Sequence, residues 1–333
     1  MSGQGLRRVS LALEVAFAVV WLAAVATPPT LGAEELPPKF RAAVNLFLAG
    51  DYKACQVGFS HAIAEAPRPG LAARAAYGAA CCAALRNDVD GGFEALSRAL
   101  ANGFTDLERA LTDPRLETLR ADSRWFRFVK VTEEHQQAHQ KTLDQDLLRL
   151  YLEQQQARSS GQGDLPAAAA NGESARLAAL GRSPGYVERA RARRQEAWEL
   201  VEKGRAKQPD DAFHAAALLV ESDRVTEVER AAGLARQALA GNPDLLAARP
   251  LVATAVDRGQ MLAGRPQKFG TQLVEVDGKW QVYDVDPAVT DDERDEWGLP
   301  PLAEARARAA ELNPKPAAPV PSAAASPAAS PPH

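Results

Sequence analysis

The 333-residue sequence is poor in aromatic residues and has no excess of positive charge. Aromatic side chains make up 6% of the chain, and the abundant alanine favours helices that pack closely through small side chains. The formal net charge of -4 gives no basic surface field, so nucleic acid is not expected as a partner. The length suggests two domains, and the 46% of hydrophobic and 25% of charged residues are typical of a soluble globular protein.

Several motifs that mark enzymes and metal sites are absent from the sequence. It contains no GxSxG nucleophile elbow, no phosphate-binding P-loop, no GxGxxG after a strand and no CxxC pair. His135 and His139 lie four residues apart on a predicted helix, but no third metal ligand is within reach, which indicates a solvated helix face. We therefore expect no cofactor and no metal. The lack of a complete nucleophile and base favours a protein that is not an enzyme.

Only three cysteines are present, which is few for an oxidising compartment. Cys81 and Cys82 are adjacent, so on a helix their side chains point about 100° apart and only one can face a given partner. Cys55 is able to pair with either of them across two packed helices, which would leave one odd thiol. The interpretation that we favour is that all three are small apolar core residues.

Residues 1–26 have the pattern of a secretory signal peptide. Arg7 and Arg8 form a positive start, the apolar run Val15–Ala26 follows, and Ala24-Val25-Ala26 supplies the small residues that signal peptidase requires. The alternative is an uncleaved membrane anchor, but the run has twelve residues and a bilayer requires about 20. We therefore expect an exported protein, periplasmic or secreted, with no membrane span after cleavage.

Residues 38–130 contain a pattern that recurs after 37 residues. In the first copy an apolar helical face is followed by the turn Gly50-Asp51-Tyr52 and by a second apolar face around Phe59. In the second copy the turn is Asn87-Asp88-Val89, and Leu96 stands where the first copy has Phe59. A period in the mid-thirties with a polar turn resembles the tetratricopeptide repeat. The resemblance implies paired helices whose concave surface binds a protein or peptide.

The end of this region resembles the block that closes many bacterial tetratricopeptide arrays. A short helix ends near Asp113-Pro114, and a last helix with aromatic residues follows it. Such a cap is needed because the final repeat would otherwise expose its apolar face to water. We expect the core of the cap to consist of Leu119, Trp125, Phe126 and Val129.

Three further stretches are distinguished by composition. Residues 131–158 are mostly polar with leucines on one side and predict a helix that connects the two halves or begins the second domain. Residues 159–185 are rich in Gly, Ser, Ala and Pro and predict a flexible loop. Residues 314–333 consist almost entirely of Pro, Ala and Ser, which cannot bury a core, so we expect them to be disordered.

Residues 186–313 are predicted to form a second helical domain. The helical period changes to an apolar and polar alternation over residues 271–285, and Asp277-Gly278 in its middle is a strong signal for a two-residue hairpin turn. The predicted fold class is therefore mainly α, with a short tetratricopeptide-like helical array followed by a second helical domain that carries one β-hairpin.

The second domain also resembles a bacterial domain family defined only as of unknown function. The resemblance depends on the order and spacing of five blocks: Phe213-His214-Ala215-Ala216, Asp257-Arg258, Gly264–Gln272, Thr290–Arg294 and Trp297–Leu302. The family pattern has a Gln-His pair where this chain has Val220-Glu221. The family has no established activity, so the resemblance implies a fold, and the missing histidine argues against an active enzyme.

The candidate site combines polar residues from these blocks. Arg258 is a planar cation suited to a carboxylate or phosphate, and Asp257 would hold it or act as a base. His214 would be the only group of this domain to titrate near neutral pH. The predicted ligand-binding residues are Arg258, Lys268, Gly270, Thr271 and Gln272, and the catalytic candidates are His214 and Asp257. The alternative is a buried polar network that fixes the hairpin against the helices.

Three functions are compatible with the sequence. The leading hypothesis is an exported binding or scaffold protein that holds a protein or peptide on its repeats and has a small-ligand pocket in the second domain. The competing hypothesis is a hydrolase with a pocket formed by His214, Asp257, Arg258 and Gln272. The third is a purely structural envelope protein.

Overall fold

The computed structural model describes residues 36–159, 168–169, 184–277 and 279–313. These residues form a mainly α-helical protein with one β-hairpin, which confirms the predicted fold class. No helix among them is long and apolar enough to cross a lipid bilayer. The predicted signal peptide, most of the predicted loop at 159–185 and the Pro/Ala tail lie outside the described residues.

The first part of the chain contains seven α-helices among the described residues. They are α1 (Pro38–Leu48), α2 (Tyr52–Ala64), α3 (Pro69–Leu85), α4 (Val89–Ala101), α5 (Leu107–Thr112), α6 (Glu117–Arg120) and α7 (Arg124–Gln140), with a 3-10 turn at Pro114–Leu116 between α5 and α6. Helices α1 to α4 pack against one another in chain order.

The second part contains a further seven α-helices and three short strands among the described residues. They are α8 (Gln145–Ser159), β1 (Ala168–Ala169), α9 (Pro184–Glu202), α10 (Pro209–Leu219), α11 (Val225–Gly241), α12 (Ala248–Leu262), β2 (Leu273–Val276), β3 (Lys279–Val282), α13 (Asp291–Glu296) and α14 (Leu302–Glu311).

The two helix pairs α1–α2 and α3–α4 start their second helix in the same way. Asp51 accepts a hydrogen bond at 3.0 Å from the backbone N–H three residues ahead, and Asp88 does the same at 3.0 Å. Each carboxylate satisfies a helix N–H that has no partner within the helix. The turn before each cap has a positive φ, 77° at Gly50 and 60° at Asn87, which glycine and asparagine tolerate better than other residues.

Helix α3 forms the centre of the first core. All of its residues from Leu71 to Ala84 are buried, which only a helix covered on every side can achieve. A Cβ on Gly78 would lie 2.9 Å from the ring of Phe59, so α2 and α3 approach closely because this position has no side chain. The ring of Phe59 packs edge-on against Phe40 at 5.3 Å and connects α1 to the same core.

The same close approach joins two of the cysteines. Cys55 of α2 and Cys82 of α3 form a disulfide across Cα atoms 6.1 Å apart, within the range that a disulfide can bridge. Cys81 is a buried free thiol on a different face of α3. The expectation that all three cysteines are only apolar core residues is therefore wrong for Cys55 and Cys82.

The cap closes the first core, but its last helix has a different buried face from the one expected. Trp125, Phe128 and Thr132 form the buried stripe of α7, while Phe126 is 77% exposed. The prediction of Phe126 as a core residue is wrong, because a side chain one position from Trp125 points about 100° away from it. Leu119 is buried as expected, and a Cβ on Gly92 would lie 2.7 Å from its Cδ2 atom.

The predicted single connecting helix over residues 131–158 is wrong, because the chain breaks between α7 and α8. Helix α7 ends at Gln140, and Asp144 caps the start of α8: its Oδ1 accepts hydrogen bonds at 3.1 Å from the N–H groups of Asp146 and Leu147. Helix α8 then belongs to the second core, in which Leu147 and Leu150 are buried among residues of α9 to α12. The second core therefore begins well before residue 186.

The hairpin is observed where the Asp277-Gly278 signal predicts it. Strands β2 and β3 are antiparallel, with Leu273 opposite Val282 and Val276 opposite Lys279. Asp277 has a φ of 52°, as the two-residue turns of such hairpins require. The two-residue strand β1 pairs in parallel with β2, a pairing that the sequence did not predict because it lies in the stretch expected to be a loop.

The two parts of the chain meet at a partly buried ion pair. The guanidinium of Arg68, just before α3, donates two hydrogen bonds of 2.7 and 3.0 Å to the carboxylate of Asp244, which follows α11. Arg74 of α3 lies 3.5 Å from the same carboxylate. Asp244 therefore contacts two cations of the first part and holds the second part against α3.

Candidate functional site

Asp257, on α12, is the centre of the site predicted from the sequence. Its side chain is fully buried and accepts four hydrogen bonds from the segment that leads to β2. The donors are Lys268 N at 2.8 Å, Phe269 N at 2.7 Å, Thr271 N at 2.9 Å and Thr271 Oγ1 at 2.8 Å. Burial raises the pKa of Asp257 above its usual value, and the four donors act against that rise. The buried carboxylate thus fixes the backbone conformation of residues 268–271.

Arg258 contacts another part of the chain. Its Nε donates to the backbone oxygen of Ser222 at 2.7 Å, and its Nη2 donates to Asp223 Oδ1 at 2.6 Å. The residue is 1% exposed and holds the loop between α10 and α11. Asp257 and Arg258 therefore do not form the pair with each other that their adjacency suggested.

Two glutamines fix the start of the hairpin. Gln267 Nε2 donates to Gln272 O at 3.0 Å and to Tyr283 O at 2.8 Å, and Gln267 Oε1 accepts from Gln272 N at 2.8 Å. Both glutamines are fully buried. The Gln272 Oε1 atom is buried and has no hydrogen-bond partner. Gln272 is among the residues predicted from the sequence, whereas Gln267, whose amide joins the two ends of the segment, is not.

Position 270 requires glycine because of its backbone conformation and because other side chains lie close to it. Its φ is 77°, and a Cβ there would lie 2.7 Å from Leu302 Cδ1 and 2.9 Å from Arg294 Nη1. Arg294 is 1% exposed and donates from Nε to Pro300 O at 2.9 Å. Its role has no signal in the sequence, because the acidic residues around it do not show that α13 turns this residue inward.

Lys268 differs from its neighbours because it is exposed. Its Nζ lies 2.5 Å from Glu293 Oε1 and 5.0 Å from the centre of the Phe269 ring. Its side chain is 45% exposed, so both contacts are weak in water. The structure therefore groups Asp257, Gly270, Thr271 and Gln272 in one network. This is the arrangement expected of a buried polar network that fixes the hairpin against the helices.

His214 lies apart from this network. Its ring stacks on Tyr151 of α8 at 4.4 Å, its Nδ1 atom is buried without a hydrogen-bond partner, and its own helix carries Asp210 and Asp211 nearby. Arg258 contacts Ser222 and Asp223, which lie in the loop after α10, whereas His214 lies in the middle of that helix. The contacts do not assemble the four residues of the predicted hydrolase pocket.

Burial of His214 predicts an acid-sensitive stability. Burial lowers the pKa of His214 below its usual value near 6.5, with Asp210 and Asp211 acting in the opposite direction. The unfolded chain then binds more protons than the folded one, so the free energy of unfolding falls as the pH drops below about 6.5. We expect His214→Phe to reduce this fall in urea unfolding at pH 7.5 and 5.5. His61→Phe, at an exposed position, serves as the control, and an equal fall in both variants would contradict the prediction.

The two histidines at helical spacing, His135 and His139, both lie on α7. His139 Nε2 lies 3.4 Å from Asp210 Oδ1, at the junction of α7 with α10. Over the described ranges, no group of three or more His, Cys, Asp or Glu side chains is placed to hold a metal ion.

Comparison with known proteins gives one partial similarity. A stretch of 71 residues is 39% identical to a chloroplastic protein of Arabidopsis thaliana, and the match covers 21% of each chain. The chain thus spans about a fifth of the length of this relative. No protein-family model matches the chain, and no solved structure matches it.

Proposed function

We propose that the protein is an exported scaffold that binds an apolar segment of another protein or peptide on its helical repeats. The observation that carries the proposal is a pair of exposed leucines at equivalent positions of the two helix pairs. Leu48 is the last residue of α1 and is 59% exposed; Leu85 is the last residue of α3 and is 38% exposed. They are separated by the 37-residue period of the repeat.

The C-terminal ends of α1 and α3 are accessible to a partner, whereas one face of α3 is covered by the rest of the chain. Arg74, Tyr77 and Cys81 form one stripe of α3, and all three are buried. The Tyr77 hydroxyl donates to Asp113 Oδ2 at 2.9 Å, and Arg74 lies 3.5 Å from Asp244. The chain's own cap and second part thus cover the stripe along which a tetratricopeptide array would hold its ligand.

Exposed apolar side chains in equivalent positions are a typical feature of a repeat surface that binds a partner. Leu111 of α5, 45% exposed, adds a third leucine in the helix that follows the second pair. Burying a leucine side chain contributes about 1.5–3 kcal/mol, so these leucines would supply part of the binding free energy and neighbouring contacts the rest. The Cys55–Cys82 disulfide supports the export part of the proposal, since such bonds persist in oxidising compartments.

Charged side chains in place of Leu48 and Leu85 should weaken binding. We expect Leu48→Glu combined with Leu85→Glu to raise the Kd of peptides selected from an unbiased library at least tenfold, because each change removes apolar area and forces desolvation of a carboxylate. The measurement is fluorescence anisotropy with the peptides that the wild-type protein selects.

Leu152→Glu on α8 is the matched control, because Leu152 is 49% exposed and lies in the second part of the chain. It should leave the Kd unchanged. If the Leu48 and Leu85 double variant binds the selected peptides as tightly as the wild type, the repeat ends are not the binding surface.

A further inference from the structure

A second polar cluster lies where α8, α9 and the loop after α10 meet. Gln154 of α8 is at its centre and is 3% exposed. Its Nε2 donates to Glu221 Oε2 at 3.0 Å and to the Tyr186 hydroxyl at 3.3 Å, and its Oε1 accepts from Arg193 Nε at 2.9 Å. Arg158, near the end of α8, donates to Glu221 Oε1. The five residues Gln154, Arg158, Tyr186, Arg193 and Glu221 are called the arginine cluster below.

The arginine cluster contains a buried cation without a matching anion. Arg193 is 8% exposed, and its Nη2 atom has no hydrogen-bond partner. Glu221 is already paired with Arg158, and Glu153, the other carboxylate that acts on Arg193, is bonded to Arg149 at 3.1 Å. No ion pair with Arg193 occurs among the described residues.

An unmatched buried guanidinium is costly. Removing a charge from water is strongly unfavourable unless an opposite charge or a full set of hydrogen bonds compensates it. Burial lowers the pKa of Arg193, and Arg189 lowers it further, but a guanidinium does not lose its proton in a protein. The charge therefore persists, and the electrostatic field within the cluster is positive at Arg193.

We propose that Arg193 anchors a binding site for a small molecule that carries a carboxylate or phosphate group. The guanidinium presents Nη2 beside an Nε that Gln154 holds in place, so its orientation is set before the ligand arrives. Arg158, whose side chain is 32% exposed, is a second guanidinium of the cluster and is paired with Glu221. This site is separate from the leucine surface of the repeats and does not depend on it.

The site differs from the sequence-predicted one in its residues and its charge. At Asp257 every contact is made by a donor of the chain itself, whereas at Arg193 a donor has no acceptor. A buried donor without a partner destabilises the folded chain in the absence of a ligand. An oxyanion that reaches Nη2 would recover that free energy as binding energy.

The test uses the full chain with two probes, inorganic phosphate and acetate, and with sodium chloride at equal ionic strength as the reference. We expect phosphate or acetate to raise the Tm of the wild type by about 3 °C or more at saturation. In Arg193→Gln the Kd, measured by calorimetry, should rise at least tenfold. The probe that binds more tightly identifies the group that the natural ligand carries.

The matched control is Arg236→Gln on α11, where an exposed arginine is removed and the same net charge results. This variant should bind phosphate and acetate as the wild type does. If neither anion shifts the wild type, or if Arg193→Gln and Arg236→Gln lose the same affinity, the proposal is overturned. If Arg193→Gln does not fold, Arg193→Lys replaces it, because lysine keeps the charge without the planar guanidinium. This variant should raise the Kd for the anion at least fivefold. An unchanged Kd would reject the proposed binding site.

Discussion

Replacing both Cys55 and Cys82 with alanine is expected to lower the free energy of unfolding by about 3.5 kcal/mol. The disulfide closes a loop between residues 27 positions apart, and this loop contains the turn between the two helix pairs. Closing it restricts the unfolded chain and so favours the folded state by an amount that grows slowly with loop length. The measurement is urea unfolding of the oxidised wild type and of the double variant, followed by circular dichroism.

Cys81→Ala is the control for this prediction. Cys81 is buried but free, and its sulfur is 3.9 Å from Asp113 Oδ2, so its loss should cost less than about 1 kcal/mol. A reducing agent should destabilise the wild type and leave the Cys55 and Cys82 double variant unchanged. Titration of the unfolded, unreduced wild type should find one thiol, and three thiols would show that the bond does not form.

The repeating part of the fold was predictable because local signals decide it. The turns at Gly50 and Asn87 and the caps at Asp51 and Asp88 each depend on residues within four positions of one another. Such signals are visible in a sequence because a helix start needs a capping side chain and a tight turn needs a residue that accepts a positive φ. The hairpin at Asp277-Gly278 was predictable for the same reason.

Features that depend on which face of a helix is buried were less predictable. Phe126 and Phe128 both belong to the apolar part of α7, and only contacts with the rest of the cap decide that Phe128 is buried. The choice between Cys81 and Cys82 as the partner of Cys55 has the same origin. The break at Asp144 has no clear sequence signal, because an aspartate between two polar helical stretches is as compatible with one long helix as with a cap.

Asp257 and Arg258 show why residues adjacent in sequence need not act as a pair. On α12 their side chains point about 100° apart. One reaches the segment before β2 and the other reaches the loop after α10. Arg193 gave no signal at all, since it is one of several arginines on α9 and only its contacts in the folded chain distinguish it.

The network around Asp257 and the cluster around Arg193 both consist of buried polar groups, but the group left without a partner differs. In the first it is the neutral Gln272 Oε1 atom, and in the second it is the Nη2 atom of a charged guanidinium. The Asp257 carboxylate at the centre of the first network is satisfied by four donors of the chain, whereas the buried charge of Arg193 is not matched by an anion. On this ground the hairpin segment is scaffolding for the second part of the chain. The arginine cluster is the place where a ligand would add contacts that the chain does not make.

Asp257→Ala is expected to lower the free energy of unfolding by about 4 kcal/mol. The carboxylate accepts from three backbone N–H groups and one hydroxyl, and all four donors would be left inside the protein without an acceptor. A buried donor that loses its partner costs about 1–3 kcal/mol, reduced where water enters the space. Asp257→Asn should also destabilise, because its amide nitrogen would face donors instead of accepting from them.

The matched control for Asp257→Ala is Glu275→Ala on β2, an exposed carboxylate in the adjoining strand, which should change the free energy of unfolding by less than about 0.5 kcal/mol. Urea unfolding by circular dichroism measures both. If Asp257 were a catalytic or ligand-binding group, its removal would leave the stability nearly unchanged or raise it, because functional sites retain groups that the fold does not need. A stable Asp257→Ala variant would therefore reject the structural interpretation and return Asp257 to the functional candidates.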